Sequence, residues 1–268
     1  MQEYNHSDRQ IHWLSQVLAK ANRAYVPEQK DDSHTNLYFD APEKRILGRW
    51  IDGPGGKIIL ALNLQSLSFQ WLDAKQNILH EDSLLNSSME QMEKSVSEYP
   101  QSLHLSTEEF FRPLHFEIPD YKIQKVNRED ISEKGLKSWI YYRDLANAAC
   151  QNMLDYLQWE GESRIWPHHF DTGIFAQVTA DLGLGFGLAM EDAMVGDAYF
   201  YMSGYHGESP ISYLNLKQLS AGKWEIGEHW KGAVLPLNAI RDSSSKEALR
   251  MIQLFIQETT GWFINKKS

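Results

Sequence analysis

The sequence of 268 residues contains a single cysteine, so no disulfide bond can form within the chain. Cys150 follows Asn147, Ala148 and Ala149 in a context typical of a helix, and we interpret it as a packed thiol and not as a nucleophile. No run of about 18 apolar residues occurs, and the polar N-terminus lacks the apolar segment of a signal peptide. We therefore expect a soluble, cytoplasmic protein.

Basic residues are in the minority, with 26 Lys and Arg against 36 Asp and Glu and a formal net charge of −10. No long Lys or Arg block is present to bind phosphate backbones or anionic lipids, so nucleic acid and membrane surfaces are not expected as partners. The dinucleotide fingerprint, the phosphate loop and the G-x-S-x-G nucleophile elbow are also missing. A small-molecule ligand and self-association into a homo-oligomer stay open.

What is present is an ordinary globular composition, with 42% hydrophobic and 23% charged residues. Clusters of strands flanked by helices, without regular βαβ alternation, predict an α+β fold with mainly antiparallel sheets. We expect one fused unit over residues 1–268, with sub-lobes 1–130 and 131–268 as its natural subdivision. Both halves read helix, strands, helix, which hints at two similar halves.

Hydrophobic periodicity and capping signals place the individual elements. Helices are predicted from Ser7 to the residues before Pro27, over Ser88–Glu98, as one turn at Ser106–Glu109, over Ser132–Gln158 and from Ser244 onwards. Strands are predicted at Leu37–Phe39, Ile46–Ile51, Lys57–Leu62, Leu67–Leu72, Leu114–Ile118, Ile174–Thr179, Leu184–Met190, Ala198–Ser203, Lys223–His229 and Ala233–Leu235. The residues from Gly53 to Gly56, Gly-Pro-Gly-Gly, indicate a tight turn between two of these strands.

The densest set of chemically active side chains is the segment Trp-Pro-His-His-Phe-Asp, which ends at Asp171. If this segment is extended, His169 and Asp171 share one face and His168 points to the other, because successive side chains alternate. One hypothesis is that His169, Asp171 and a residue such as Glu191 or His206 converge on a divalent metal or a polar ligand, since imidazoles and carboxylates are usual metal ligands. The other is that His169 and Asp171 form a hydrogen-bonded structural pair.

Three glycines, Gly183, Gly185 and Gly187, alternate with apolar residues, so a strand here would have one bare face and one apolar face. We expect an aromatic ring from a neighbouring strand, for example that of Tyr199 or Tyr201, to cover the bare face. The alternative is a ligand held against the backbone.

Aromatic residues are frequent, with nine tryptophans and twelve tyrosines. Core and interface packing is the default interpretation of such rings, and stacking of a carbohydrate or an aromatic ligand is the minority one. The tryptophans of the second half to which this applies are Trp159, Trp166, Trp224, Trp230 and Trp262. A glycosidase pair drawn from Glu191, Asp192 and Glu208 carries little weight, because sequence does not show the separation of the carboxylates.

The order of several motifs resembles an uncharacterised bacterial family of unknown function. These motifs are Leu37-Tyr38-Phe39, the strand Gly56–Leu60, Phe116–Asp120, the long helix that leads to Trp166–Asp171, the strand Ala198–Tyr201 and the Leu235-Pro236-Leu237 turn before the last helix. The family has a Trp-x-x-x-Phe-Asp motif after its long helix. The resemblance implies a single fold with this order of elements, and it implies no activity.

The leading functional hypothesis is a protein with a pocket for a small polar molecule or a metal. One alternative is an interaction or structural protein in which Trp and Tyr residues form a partner surface, and the other is a metal-dependent hydrolase with Asp171 or Glu191 as general base. The residues predicted to line the pocket are Trp166, His168, His169, Asp171, Glu191, Tyr205 and His206, and the predicted metal ligands among them are His169, Asp171 and His206.

Overall fold

The computed structural model describes residues 1–207 and 210–266 and divides the chain into two compact units. The first unit comprises Gln2–Tyr141 and Arg164–Phe170, and the second comprises Met1, Tyr142–Ser163 and Asp171–Ser268. Each unit contains an antiparallel sheet together with helices, which confirms the predicted α+β class. Glu208 of the predicted carboxylate set lies outside the described residues.

The first unit is built on a meander of short strands. Its helices are α1 (Gln2–Tyr25), α2 (Met89–Ser102), α3 (Glu108–Phe111) and the first part of α4 (Glu133–Leu157). Its strands are β1 (Tyr38–Asp40), β2 (Arg45–Leu47), β3 (Ile51–Gly53), β4 (Gly56–Asn63), β5 (Ser68–Asp73), β6 (Ile78–Ser83) and the short β7 (Arg164–Ile165). The order in the sheet is β1-β2-β4-β5-β6, and β3 pairs with β4. Gly53 faces Gly56 across the β3–β4 hairpin, so the predicted turn is confirmed.

Helix α1 begins at Gln2, five residues before the Ser7 start that the capping signal predicted. Ser7 is fully buried inside the helix, so it is not the N-cap. The predicted apolar stripe is nevertheless present, because Ile11, Leu14 and Leu18 are all buried. Helix α2 does begin as predicted: the backbone N–H of Gln91 donates to Ser88 Oγ, and the N–H of Ser88 donates to Gln91 Oε1, which completes a capping box.

Helix α4 matches the prediction to within one residue at each end. Its residues up to Tyr141 belong to the first unit and its residues from Tyr142 onwards belong to the second. Cys150 is buried in the second part, and burial, with a smaller contribution from the charge of Asp171, raises the pKa of its thiol well above the ordinary value. A thiol with a raised pKa stays protonated at neutral pH and is a poor nucleophile.

In its described residues, the second unit contains five strands, the second part of α4 and the C-terminal helix. The strands are β8 (Thr172–Gln177), β9 (Leu182–Ala189), β10 (Tyr199–His206), β11 (Lys223–Ile226) and β12 (Lys231–Pro236), and the helix is α5 (Ser245–Asn265). They pair antiparallel in the order β11-β12-β10-β9-β8. Leu184, Phe186 and Leu188 of β9 are fully buried on one face of the sheet. Helix α5 starts at the predicted cap, since Ser244 Oγ accepts a hydrogen bond from the N–H of Glu247.

None of the helices in the described part of the chain is both long and apolar enough to cross a membrane.

Candidate functional site

The segment that contains His168 and His169 is a turn and not a strand. The N–H of Phe170 donates to the carbonyl oxygen of Trp166 over 2.6 Å, and Phe170 has a φ angle of +57°, in the left-handed region. The rings of His168 and His169 consequently lie side by side, with centroids 4.4 Å apart. The prediction that the two histidines point to opposite faces is wrong, because it assumed extended backbone.

A histidine that the sequence did not single out holds this turn in place. His12 on α1 is fully buried, and its ring stacks on that of Phe170 with centroids 4.8 Å apart. Its Nε2 lies 2.9 Å from the carbonyl oxygen of Pro167 and its Nδ1 lies 2.7 Å from the hydroxyl of Tyr121. Because a carbonyl oxygen can only accept, Nε2 carries the proton and Nδ1 accepts from Tyr121. Gln16 donates a second hydrogen bond to the same carbonyl oxygen. These contacts connect α1 and Tyr121 to the turn that contains His168 and His169.

The predicted site residues are distributed over both units. Trp166, His168 and His169 belong to the first unit. Trp166 and His168 are half-buried there, and the side chain of His169 is exposed. Asp171, Glu191, Tyr205 and His206 belong to the second unit.

Within the second unit, Asp171 and His206 lie at opposite ends of the sheet. Thr172, next to Asp171, pairs with Leu188 of β9, whereas His206 pairs with Leu182 of the same strand. Six residues of strand correspond to about 20 Å. Metal ligands lie about 2 Å from their ion, so one ion cannot bind both side chains. Throughout residues 1–207 and 210–266, no group of three or more His, Cys, Asp or Glu side chains is arranged to hold a metal ion.

Aromatic rings cover the bare glycine face of β9, as the preferred interpretation predicted, but two of them are not the predicted ones. An added Cβ at Gly183 would lie 2.3 Å from the ring of Phe175, and one at Gly185 would lie 3.1 Å from the ring of Tyr205. These rings come from the two flanking strands, β8 and β10. The predicted Tyr201 does reach across the sheet, where its hydroxyl would lie 2.8 Å from a Cβ on Gly173.

Two cavities of the second unit lie beside the C-terminal half of α5. One, of about 490 Å³, is lined by the predicted site residue His206 together with Thr179, Asp181 and Lys266. Residues 208–209, which follow His206 closely in the chain, lie outside the described residues, and we assign no function to this cavity.

The other cavity has a volume of about 480 Å³, and we call it the tryptophan cavity. Its lining includes Lys217, Trp224, Glu258, Gly261, Trp262 and Lys266. Trp224 lies on β11 and Trp262 on α5, with ring centroids 4.6 Å apart and planes inclined at 53°. Glu258, Gly261 and Trp262 follow helical spacing, so they form one face of α5.

Hydrogen bonds fix the aromatic groups around the tryptophan cavity. Trp224 Nε1 donates to the carbonyl oxygen of Lys217 over 2.9 Å. The ring of Tyr213 stacks on Trp262 with centroids 5.3 Å apart, and its hydroxyl donates to the carbonyl oxygen of Lys231. Burial raises the pKa of Tyr213 to about 12, so this phenol remains a neutral donor at physiological pH. The rings are therefore held in position without a ligand.

Charged groups line the tryptophan cavity together with these aromatic rings. The Lys266 ammonium group lies 5.2 Å from the centroid of the Trp262 ring, in a cation–π arrangement, and donates to the carbonyl oxygen of Leu214. Glu258 accepts hydrogen bonds from both the backbone N–H and the hydroxyl of Ser220, over 2.7 and 2.5 Å. The tryptophan cavity thus combines an apolar aromatic surface with a few fixed polar groups, which is the usual construction of a ligand site.

Sequence reasoning noted Trp224 and Trp262 but did not connect them or include Gly261. A usable signal was present, because Glu258, Gly261, Trp262 and Asn265 recur at helical spacing in the last predicted helix. The contribution of Lys217 could not be read in this way, since it depends on how the loop before β11 folds back on the strand.

No family model matches the sequence, no curated protein is significantly similar to it, and no solved structure has a significantly similar fold. The resemblance to a bacterial family therefore stays a prediction, and function has to be argued from the geometry of this chain.

Proposed function

We propose that this chain is a small-molecule-binding protein whose ligand occupies the tryptophan cavity of the second unit. The volume of about 480 Å³ lies within the range of roughly 300 to 1,000 Å³ that is usual for small-molecule sites. The general hypothesis of a pocket for a polar small molecule is kept, but its location moves from the segment around His169 to the face of α5 that carries Trp262.

The observation that carries the proposal is the glycine at position 261. Gly261 lies inside α5, where glycine costs about 1 kcal/mol relative to alanine. A Cβ added there would meet no atom within 4 Å, so the packing of the protein gives no reason for the missing side chain. The absent side chain does leave the helix backbone and the neighbouring ring of Trp262 accessible from the cavity, as a ligand that approaches closely would require.

A cytoplasmic location is supported by the buried, unpaired thiol of Cys150, since disulfides are rare in that compartment. A metal-dependent hydrolase receives no support, because Asp171 and His206 are about 20 Å apart along the sheet. A partner surface is the second candidate, and Phe175 and Tyr205 favour it: both are about half exposed, with ring centroids 5.7 Å apart.

A library screen by thermal shift tests the proposal with three forms of the full chain. Gly261→Leu fills the tryptophan cavity from a position where the first added atom meets nothing. Gln257→Leu places the same side chain at an exposed position of the same helix and serves as the matched control. We expect compounds that raise the Tm of the wild type and of Gln257→Leu but have little effect on Gly261→Leu.

Two results would overturn the proposal. One is a screen in which no compound stabilises the wild type more than Gly261→Leu. The other is a set of hits that stabilise all three forms equally, which would place the binding site elsewhere.

A further inference from the structure

We infer that the ligand of the tryptophan cavity is a small anion that carries a flat ring, such as an aromatic carboxylate. This inference rests on the proposed function and adds the chemical class of the ligand. It is drawn from the two indole rings of the lining, from the position of Lys266 and from the charges around the cavity.

The aromatic lining favours a flat molecule. Trp224 and Trp262 both contribute to the wall, and their rings are fixed by a hydrogen bond to the backbone and by stacking on Tyr213. Aromatic rings bind other planar rings in offset or edge-to-face contact, worth about 0.5 to 1.5 kcal/mol beyond the buried area. A puckered ring of the same size makes fewer contacts of this kind. Because Gly261 has no side chain, a planar group can also lie close to the helix.

The charges of the lining favour an anion. The residues that line the cavity include two lysines, Lys217 and Lys266, and one acidic residue, Glu258. The Glu258 carboxylate already accepts two hydrogen bonds from Ser220. An excess of positive charge is unusual in a chain with a net charge of −10, and it attracts negative ligands.

Lys266 also disfavours a cationic ligand. Its ammonium group already occupies a cation–π position at Trp262, so a second cation there would meet a like charge. An ammonium group has three donors, and Lys266 uses one on the carbonyl oxygen of Leu214. A further donor is left for a carboxylate or phosphate oxygen of a ligand that stacks on the indole.

The test is calorimetric titration of the full chain with four matched probes in about 0.15 M salt. Naphthoate is flat and anionic, naphthol is flat and neutral, naphthylmethylamine is flat and cationic, and decahydronaphthoate is anionic but puckered. We expect naphthoate to bind at least about tenfold more tightly than the last two, a difference of about 1.4 kcal/mol.

Variants separate the contributions of charge and shape. Lys266→Gln and Lys217→Gln should each weaken naphthoate binding roughly two- to fivefold, the range for exposed ion pairs, and should weaken naphthol binding less than naphthoate binding. Gly261→Leu should abolish the binding of both, and the exposed-site control Gln257→Leu should abolish neither. A higher salt concentration should weaken the binding of naphthoate and not that of naphthol.

The inference is overturned if decahydronaphthoate or naphthylmethylamine binds as tightly as naphthoate, or if none of the probes binds. Its failure can be distinguished from failure of the proposed function. If the library screen yields Gly261-dependent ligands that are neither flat nor anionic, the tryptophan cavity is a binding site but the ligand class is wrong. If no ligand depends on Gly261, the proposed function itself fails.

Discussion

The hydroxyl group of Tyr201 donates a hydrogen bond to Oδ2 of Asp171 over 2.5 Å. Tyr201 lies on β10, whereas Asp171 immediately precedes β8, and strand β9 lies between them. Tyr201 is in register with Gly187, which in turn is in register with Gly173, so the tyrosine side chain crosses β9 where neither strand has a side chain. The glycine face thus has a structural role at this end of the sheet. It lets Tyr201 of β10 reach across β9 and bind the carboxylate of Asp171 beside β8.

Replacing Tyr201 by phenylalanine should destabilise the protein, because it removes a buried donor from a carboxylate. The expected loss is about 1 to 3 kcal/mol in the free energy of unfolding, measured by urea denaturation. Tyr156→Phe, at an exposed position of α4, is the control and should change the free energy by less than about 0.5 kcal/mol. Equal effects of the two substitutions would show that the hydrogen bond to Asp171 contributes nothing to stability.

The same variant has a spectroscopic signature. Burial, followed by the negative charge of Asp171, raises the pKa of Tyr201 well above its ordinary value. In an alkaline absorbance titration, Tyr201→Phe should therefore leave the tyrosine ionisation signal near pH 10 unchanged. It should remove signal only at higher pH.

Two of the glycines of β9, Gly187 and Gly185, should differ in how well they tolerate alanine. A Cβ at Gly187 would lie 2.4 Å from the carbonyl oxygen of Thr172 and 2.7 Å from the Cα of Gly173, and neither backbone atom can move without disturbing the β8–β9 pairing. A Cβ at Gly185 would meet side-chain atoms of Tyr205 and Ser203 at 3.1 and 3.2 Å, and the exposed tyrosine can rotate away.

We therefore expect Gly187→Ala to cost about 2 to 3 kcal/mol of stability and Gly185→Ala less than about 1 kcal/mol, as measured by chemical denaturation. The larger Gly185→Val substitution should lie between them. The opposite order would contradict the register of β8 on β9.

Local signals were sufficient for the elements whose stability depends on their own sequence. Both ends of α4 and the start of α5 lie within a residue or two of their predicted positions. The signals that predict them, apolar periodicity and the Ser244 cap, lie within the helices themselves or next to them. The strand predicted at Leu114–Ile118 is wrong: this segment is irregular. A strand needs a partner for its backbone hydrogen bonds, and no local pattern shows whether one is there. Strand β6 was missed for the converse reason, because its largely exposed residues carry little apolar pattern yet pair with β5.

The candidate site was harder to predict than the fold. The positive φ angle of Phe170 is not expected of a bulky residue, so the turn at His168 and His169 could not be read from the sequence. The buried contacts of His12 with Pro167 and Tyr121 join positions more than a hundred residues apart. Gly261, by contrast, could have been noticed, because an isolated glycine in a helical pattern has a cost that calls for a packing or functional reason.

His169→Ala and Asp171→Ala should not behave alike, although the extended interpretation predicted that they would. The His169 side chain is exposed in a turn, so its removal should change the free energy of unfolding by less than about 0.5 kcal/mol. Removing the Asp171 carboxylate leaves the buried Tyr201 hydroxyl without its acceptor and should cost about 1 to 3 kcal/mol. Denaturation curves of the two variants, recorded side by side, test this prediction. Coincident midpoints would instead support the extended interpretation, in which the two side chains share one face.

Glu81 should make the stability of the protein depend on pH in the acid range. Its carboxylate accepts hydrogen bonds from the hydroxyl of Ser68 over 2.5 Å and from the amide of Gln70 over 2.7 Å, and these bonds lower its pKa below the ordinary value despite partial desolvation. Because the pKa is lower in the folded state, the folded protein holds this proton less readily than the unfolded chain. The stabilisation is therefore present above about pH 4.5 and is lost as the pH falls through the folded-state pKa.

In Glu81→Gln this proton-linked contribution is absent, so the variant should lose less stability than the wild type between about pH 5 and pH 3. The difference between the two proteins should become constant below the folded-state pKa of the carboxylate. Glu43→Gln removes one carboxylate at an exposed turn position and is the matched control. Thermal denaturation across this pH range measures all three proteins, and parallel curves for Glu81→Gln and the wild type would show that the Ser68 and Gln70 hydrogen bonds do not favour the charged carboxylate.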